Sequence, residues 1–390
     1  MPYYNLQETE RRLNDVRQIL RDKKLDAALI YFDELNVANG WYLTGWCGQF
    51  EKGSVLVPVE GEPILLGGPE SEPFAQAESA ITKVRCFPVF MVPEEEYPNA
   101  TILDFKALND ELKAQGTTLR RIGLVGTTTI PHQVYLDFSA GFAGVEIVDI
   151  TDEYEDLRAY KSAWEGEQLI AAAQLCDLAY DKMVAAIKPG VREIEVAAAG
   201  EAICRQNGAN SFAYSCICGS GARAKSVVPT ATNRVMQDGE LVMIGLAPRI
   251  NGYAGTFGDT LPVNGVYTQR QKDLLNHMRE TMRLTKEMLR PGMTGKEIDV
   301  PGRKYYEKHG LADYIVCPFA HSIGLMEAEA PFFGPNGDFA LVPGMAVMID
   351  VSFFGHPELH GGRIETGYII TENGCKPMSP KMDAYFMKDL

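Results

Sequence analysis

The sequence predicts two domains: an α/β N-terminal domain over residues 1–153 and an α+β C-terminal domain with an internal two-fold repeat over 154–390. Three observations support this division. The chain has 390 residues, enough for two or three domains at about 150 residues each. Short apolar runs alternate with helical patterns through the first part, the rhythm of an α/β sheet. In the second part a helix, a Pro-Gly turn, a second helix and two strands occur twice in the same order.

The elements follow in turn. Charged and apolar residues alternate over Leu6–Lys23 as on an amphipathic helix. The run from Asp26 to Phe32 reads as a buried strand. The segments starting at Gly53 and Pro63 flank the turn Glu60-Gly61-Glu62 and predict a hairpin. Leu103–Gln115 reads as a helix, and strands are expected at Arg121 and Val145. No Gly-x-Gly-x-x-Gly follows a strand in this domain, so no dinucleotide site is supported. The charged stretch Asp152–Glu167 is taken as a linker into a long helix, Ala163–Ile187.

The repeat begins there. Lys188-Pro189-Gly190 and Arg290-Pro291-Gly292 each follow a helical segment, where a stop is expected. Each is followed by another helix, ending at Gly208 and at Gly310. Leu241-Val-Met-Ile-Gly245 then resembles Ala346-Val-Met-Ile-Asp350, and Gly252–Thr256 resembles Gly361–Glu365. Two such units are expected to share one sheet, with helices on one face. Asp350 and Glu365 each follow an apolar run on neighbouring strands and are expected to point to the centre of the repeat. The matching positions in the first copy are Gly245 and Thr256, so only the second copy supplies carboxylates.

Composition narrows the function. The formal net charge is −15, and no Lys/Arg run offers a basic face for nucleic acid or an anionic membrane. No apolar stretch approaches the ~20 residues of a membrane span. The eight cysteines are scattered, without a zinc-like spacing, which points to free thiols in a reducing cytoplasm.

Trp41-Tyr-Leu-Thr-Gly45, Arg158-Ala-Tyr-Lys161, Ala320-His321-Ser322-Ile-Gly-Leu325, Pro343-Gly-Met345 before Asp350, and Gly362-Arg-Ile-Glu365 before the Ile369-to-Gly374 segment stand in a telling order. With them, the chain resembles the creatinase, aminopeptidase P and methionine aminopeptidase family over essentially its whole length. The resemblance implies a creatinase-type N-terminal domain, a pita-bread C-terminal domain and a homodimer. Peptidases of that family hold two divalent metals with two Asp, one His and two Glu. Carried over, these positions fall on Gly245, Thr256, His321, Asp350 and Glu365. A further family histidine aligns with Val228, and the His of the His-Glu-x-Pro element is Ala328.

These departures lead to a definite expectation. His321, Asp350 and Glu365 are the expected catalytic residues, and Asp259, Glu329, His360 and Arg223 are expected to bind substrate. No metal and no cofactor is expected; if one metal is bound, its ligands are His321, Asp350 and Glu365. The expected activity is a creatinase-like hydrolysis of a C–N bond in a small zwitterionic or cationic metabolite. Alternatives are an Xaa-Pro type metallopeptidase with a single metal, a lyase of the same family, and a non-catalytic binding protein. The expected partner is a small-molecule substrate, with neither nucleic acid nor membrane.

Overall fold

Asn5 starts the chain's first helix by accepting hydrogen bonds from the backbone N–H groups of Gln7 and Glu8. The computed structural model describes residues 3–92, 100 and 102–390. Contacts divide these into two units, one up to Arg158 and one from Ala159 onward. The break expected at residue 153 falls inside a helix, Thr151–Ala159, so most of the expected linker is helical.

The first unit runs α1 (Leu6–Lys23), β1 (Ala27–Phe32), α2 (Val37–Thr44), β2 (Gly53–Pro58), β3 (Ile64–Gly67), α3 (Ser71–Glu78), β4 (Val84–Cys86), α4 (Phe105–Ala114), β5 (Arg121–Val125), α5 (His132–Gly141), β6 (Glu146–Asp149) and α6 (Thr151–Ala159). Its strands form one mixed sheet in the order β4-β3-β2-β1-β5-β6. The predicted hairpin is the antiparallel pair β2–β3. β1 is buried along its whole length, which explains why it reads as a continuous apolar run.

The second unit contains α7 (Ala163–Ala186), α8 (Glu193–Gln206), β7 (Ser211–Phe212), β8 (Ile217–Ser220), β9 (Leu241–Leu246), β10 (Pro248–Ile250), β11 (Tyr253–Ala254) and β12 (Phe257–Pro262). It continues with α9 (Gln269–Glu287), α10 (Gly295–Lys308), β13 (Ala320–Ser322), β14 (Glu329–Phe333), β15 (Ala346–His356), β16 (His360–Thr371), β17 (Gly374–Pro377) and α11 (Pro380–Phe386). The main sheet has the order β14-β13-β15-β16-β12-β9-β8, with β17 on β16. Capping boxes start α7 at Ser162/Glu165, α9 at Thr268/Gln271 and α10 at Thr294/Glu297. Gly190 and Gly292 both sit at positive φ, 89° and 87°, and make the two Pro-Gly turns.

Each half of the repeat builds its own core. Leu175, Ala179, Val196 and Ala197 of α7 and α8 pack on Val242, Ile244 and Phe257. Leu275, Met278, Met282 and Ile298 of α9 and α10 pack on Ile349, Val351 and Ile364. The helix-covered positions alternate along the strands with the opposite face, where the remaining chemistry lies.

Candidate metal centre

One registered row crosses that opposite face. Asp350 on β15 pairs with Glu365 on β16, Glu365 with Gly258 on β12, and Gly258 with Gly245 on β9. The register therefore puts Gly258, not Thr256, beside Glu365. Thr256 lies just before β12, and its hydroxyl still reaches the row, 3.5 Å from Glu365 Oε2. Two carboxylates stand at one end of the row and two glycines at the other.

β13 brings His321 to the carboxylate end. The imidazole Nδ1 is 3.0 Å from the Ser322 carbonyl, an acceptor only, so Nδ1 carries a proton. Nε2 then faces Glu365 Oε1 at 3.6 Å and Glu327 Oε1 at 3.7 Å. In the neutral imidazole this leaves the Nε2 lone pair directed at the carboxylates, the tautomer a metal ligand needs. The ligand atoms of His321, Asp350 and Glu365 all lie within 4.8 Å of one another.

Arg363 brings a permanent cation to the site. Its Nη2 donates to Asp350 Oδ2 at 2.8 Å and to Glu365 Oε2 at 2.9 Å, and stands 3.8 Å from Glu327 Oε1. A Cβ on Gly258 would come within 3.1 Å of the Arg363 stem, so the glycine makes room for this side chain. Ser352 Oγ donates to Asp350 Oδ1 at 2.9 Å. Tyr214 OH and Thr256 Oγ1 share a hydrogen bond of 2.8 Å on the glycine side.

The electrostatics follow from burial and proximity. Burial alone would lower the His321 pKa, but Glu365, Glu327 and Asp350 raise it to about 9. Burial, reinforced by Glu365, lifts the Glu327 carboxyl to about 7. Asp350 is raised mainly by burial, against the pull of Arg363. Burial also opposes ionisation of Glu365, but Arg363 and His321 outweigh it and hold its carboxyl below the usual range.

These groups open onto a cavity of about 500 Å³. His321, Glu327, Asp350 and Arg363 form one wall; Val227, Val228, Pro318, Ala328 and Phe332 form an apolar surround, with Tyr214 and Cys317 completing it. A small molecule of dipeptide size fits such a space.

His321, Asp350 and Glu365 are thus brought together, and four expected substrate-binding residues are not. Asp259 is one position from Gly258, so it points to the helix-covered face. There it accepts from Tyr180 OH at 2.9 Å, and burial raises its pKa to about 6. Glu329 is buried against Lys161, whose Nζ is 3.1 Å away. Arg223 is paired with the buried Glu193 and donates to the Thr230 carbonyl at 2.8 Å. His360 begins β16 opposite His356, at the far end of the strand from Glu365. The expected substrate-binding set missed Arg363 and Tyr214. Arg363 carried a readable signal, because two residues before Glu365 on a strand means the same face. Tyr214 carried none.

Comparison with known proteins agrees with this architecture. Residues 167–372, more than half of the chain, match Metallopeptidase family M24, and residues 12–160 match the Creatinase/Prolidase N-terminal domain. The chain is 30% identical over 294 residues to an Xaa-Pro dipeptidase of Pyrococcus furiosus, covering 74% of this chain and 83% of the relative. An Xaa-Pro dipeptidase of Pyrococcus horikoshii is 28% identical over 369 residues, 94% of this chain and 96% of the relative. The solved X-Pro aminopeptidase of Thermotoga maritima superposes with a TM-score of 0.82 at 21% identity, covering 94% of this chain and 97% of its own, a likeness of fold.

The expectation of no metal and no cofactor is corrected by these findings. The family is one of metallopeptidases, and an imidazole and two carboxylates converge within reach of a single ion. The donor chemistry fits one divalent metal at the carboxylate end of the row. It does not fit a second at the other end, where Gly245 and Gly258 offer no donor and Thr256 a neutral hydroxyl. The chain is a hydrolase-type protein of metallopeptidase family M24, with a creatinase/prolidase N-terminal domain and a pita-bread C-terminal domain.

Proposed function

We propose that this protein hydrolyses the C–N bond of small, dipeptide-sized amides, Xaa-Pro dipeptides foremost, using one divalent metal held by His321, Asp350 and Glu365. The observation that carries this reading is the convergence of those three side chains, two of which, His321 and Asp350, line a cavity of about 500 Å³. The named activities of the relatives point to the same bond. When bound, such a metal supplies Lewis acidity for the scissile carbonyl and makes water nucleophilic near neutral pH.

The chain's own groups do the rest. One water adds across the bond: its hydroxyl goes to the acyl carbon and its remaining proton to the departing nitrogen. Arg363 neutralises part of the carboxylate charge of Asp350 and Glu365 and favours their ionised, ligating forms. The Ser322 carbonyl holds His321 in the ligating tautomer. Val228, Pro318 and Phe332 give an apolar residue an apolar wall. The test is a panel of Xaa-Pro and other apolar dipeptides, followed by chromatography, with protein stripped by chelator and reloaded with manganese, cobalt or zinc. Metal-dependent release of both amino acids is expected; no cleavage of any dipeptide by metal-loaded protein would overturn the reading.

A second reading, hydrolysis of a small cationic metabolite, is favoured by one observation: two carboxylates, Glu327 and Asp350, line the cavity against one arginine. Guanidino and amidine compounds belong in the same panel. A homodimer and a cytoplasmic location are parts of this proposal, supported by the family resemblance and by the free thiols; a monomer in light scattering would remove the first.

A further inference from the structure

Glu327 has no place in the ligand set carried over from the family resemblance, yet it lies in this site. It comes from the turn between β13 and β14, and its Oε1 is 3.7 Å from His321 Nε2. Two buried carboxylate oxygens here have no hydrogen-bond partner among the described residues: Glu327 Oε1 and Glu365 Oε1. Glu365 is 0% exposed, so its bare oxygen cannot be hydrated from the surface. Both orphaned oxygens face the same atom, His321 Nε2, which Glu365 Oε1 approaches to 3.6 Å.

Two edges of that geometry are close to those of a coordination polyhedron. Nitrogen and oxygen ligands about 2.1 Å from a zinc-like ion stand roughly 3.4 Å apart in a tetrahedron. On these two edges the observed 3.6 and 3.7 Å need only a small contraction; Glu327 stands outside the group of His321, Asp350 and Glu365 within 4.8 Å, so its carboxylate must also turn toward Asp350. The formal charge agrees. In the metal-bound form, with His321 neutral and all three carboxylates ionised, Asp350, Glu365 and Glu327 with Arg363 leave two negative charges for one divalent cation to balance. A buried excess of this size is costly without a counter-ion.

We infer that Glu327 is a metal ligand, restoring to the site a carboxylate that Gly245 and Thr256 do not supply, so that one ion is held by His321, Glu327, Asp350 and Glu365. The inference concerns metal binding at the site of the proposed hydrolase, and its test does not depend on finding a substrate. Chelator-stripped full-length protein is titrated with manganese, cobalt and zinc by calorimetry, in wild type, Glu327→Gln and His321→Ala. Glu327→Gln keeps the shape of the side chain and should lower metal affinity at least tenfold, with His321→Ala lower still. Cobalt absorption gives an independent readout, because loss of a ligand changes band position and intensity. Should Glu327→Gln misfold, Glu327→Asp serves as the second variant, and a changed cobalt spectrum in it supports the assignment equally. Unchanged affinity and an unchanged cobalt spectrum in Glu327→Gln would overturn it, as would a wild type that binds none of the three metals. Tight binding lost in Glu327→Gln, with no dipeptide cleaved by wild type, would sustain this inference and sink the proposed activity instead.

Discussion

The two halves of the C-terminal sheet share one construction and carry opposite chemistry. In the first, α7 and α8 cover β8, β9 and β12; in the second, α9 and α10 cover β13, β15 and β16. The helix-facing positions match in kind: Val242 and Ile244 in one, Ile349 and Val351 in the other. The other face does not match. Gly245 and Gly258 stand where Asp350 and Glu365 stand. What this teaches is that fold and chemistry are written on alternate residues of the same strands. Apolar burial on one face holds the register, so the other face can lose its charges without loss of the fold.

The strongest way to break this comparison is to remove the cation that balances the second half. Arg363→Met leaves Asp350, Glu365 and Glu327 buried together without their permanent counter-charge, beside the His321 imidazole. The metal-free protein should lose about 3–5 kcal/mol, with added metal recovering part of it. Thermal unfolding with and without metal measures this; an unchanged melting temperature in the metal-free variant would refute the charge argument.

Next comes the helix-facing side of the first half, at Asp259. Burial raises its carboxyl from 3.8 to about 6 in the folded chain. Between those values the folded state holds a proton that the unfolded state has lost. This group's contribution to stability is therefore fully present below the unfolded value, falls as pH rises through the window, and is level above it. The total change is about 3 kcal/mol. Asp259→Asn should abolish that slope. Urea midpoints of both proteins at several pH values between 4 and 7 give the comparison, and parallel profiles would contradict the burial-raised pKa.

Placing carboxylates in the first half sharpens the contrast directly. In Gly245→Asp/Thr256→Asp, the new Cβ at 245 would stand 3.0 Å from the Phe257 carbonyl oxygen, so the backbone must yield slightly. The metal-free double variant should lose about 1–3 kcal/mol through crowding and repulsion. It should then take up an additional metal ion, seen by elemental analysis, and recover stability on loading. A second ion already present in wild type would show that the glycine end is not empty of donors.

The smallest effect is expected at the cavity wall. Val228→Ala removes apolar surface from a half-open position and should raise KM for an apolar dipeptide about fivefold, roughly 1 kcal/mol, with kcat little changed. A changed kcat with constant KM would place Val228 nearer the chemistry than the wall.

Much of this was legible in the sequence because it rests on short-range rules. α1 occupies Leu6–Lys23 as its apolar spacing requires, and the Pro-Gly turns end α7 and precede α10 where glycine at positive φ is needed. His321, Asp350 and Glu365 were found through their motifs and the repeat. Asp259 was misplaced for a purely geometric reason: it lies one residue from Gly258, and one step along a strand reverses the face. Glu329 is suggested by a motif, Arg223 by its glycine-bearing loop and His360 by the loop before Gly361, but Lys161, Glu193 and the far end of β16 claim them.

The two domains' classes, the repeat and the asymmetry of its charges can be read from the residues alone, because periodicity and residue identity are local properties. Long-range packing places Glu365 beside Gly258 rather than Thr256, lets Arg363 bridge two carboxylates and turns Glu327 back toward His321. Those facts depend on strand register and on a turn that returns a distant carboxylate to the row, and both are set by contacts between residues far apart in the chain.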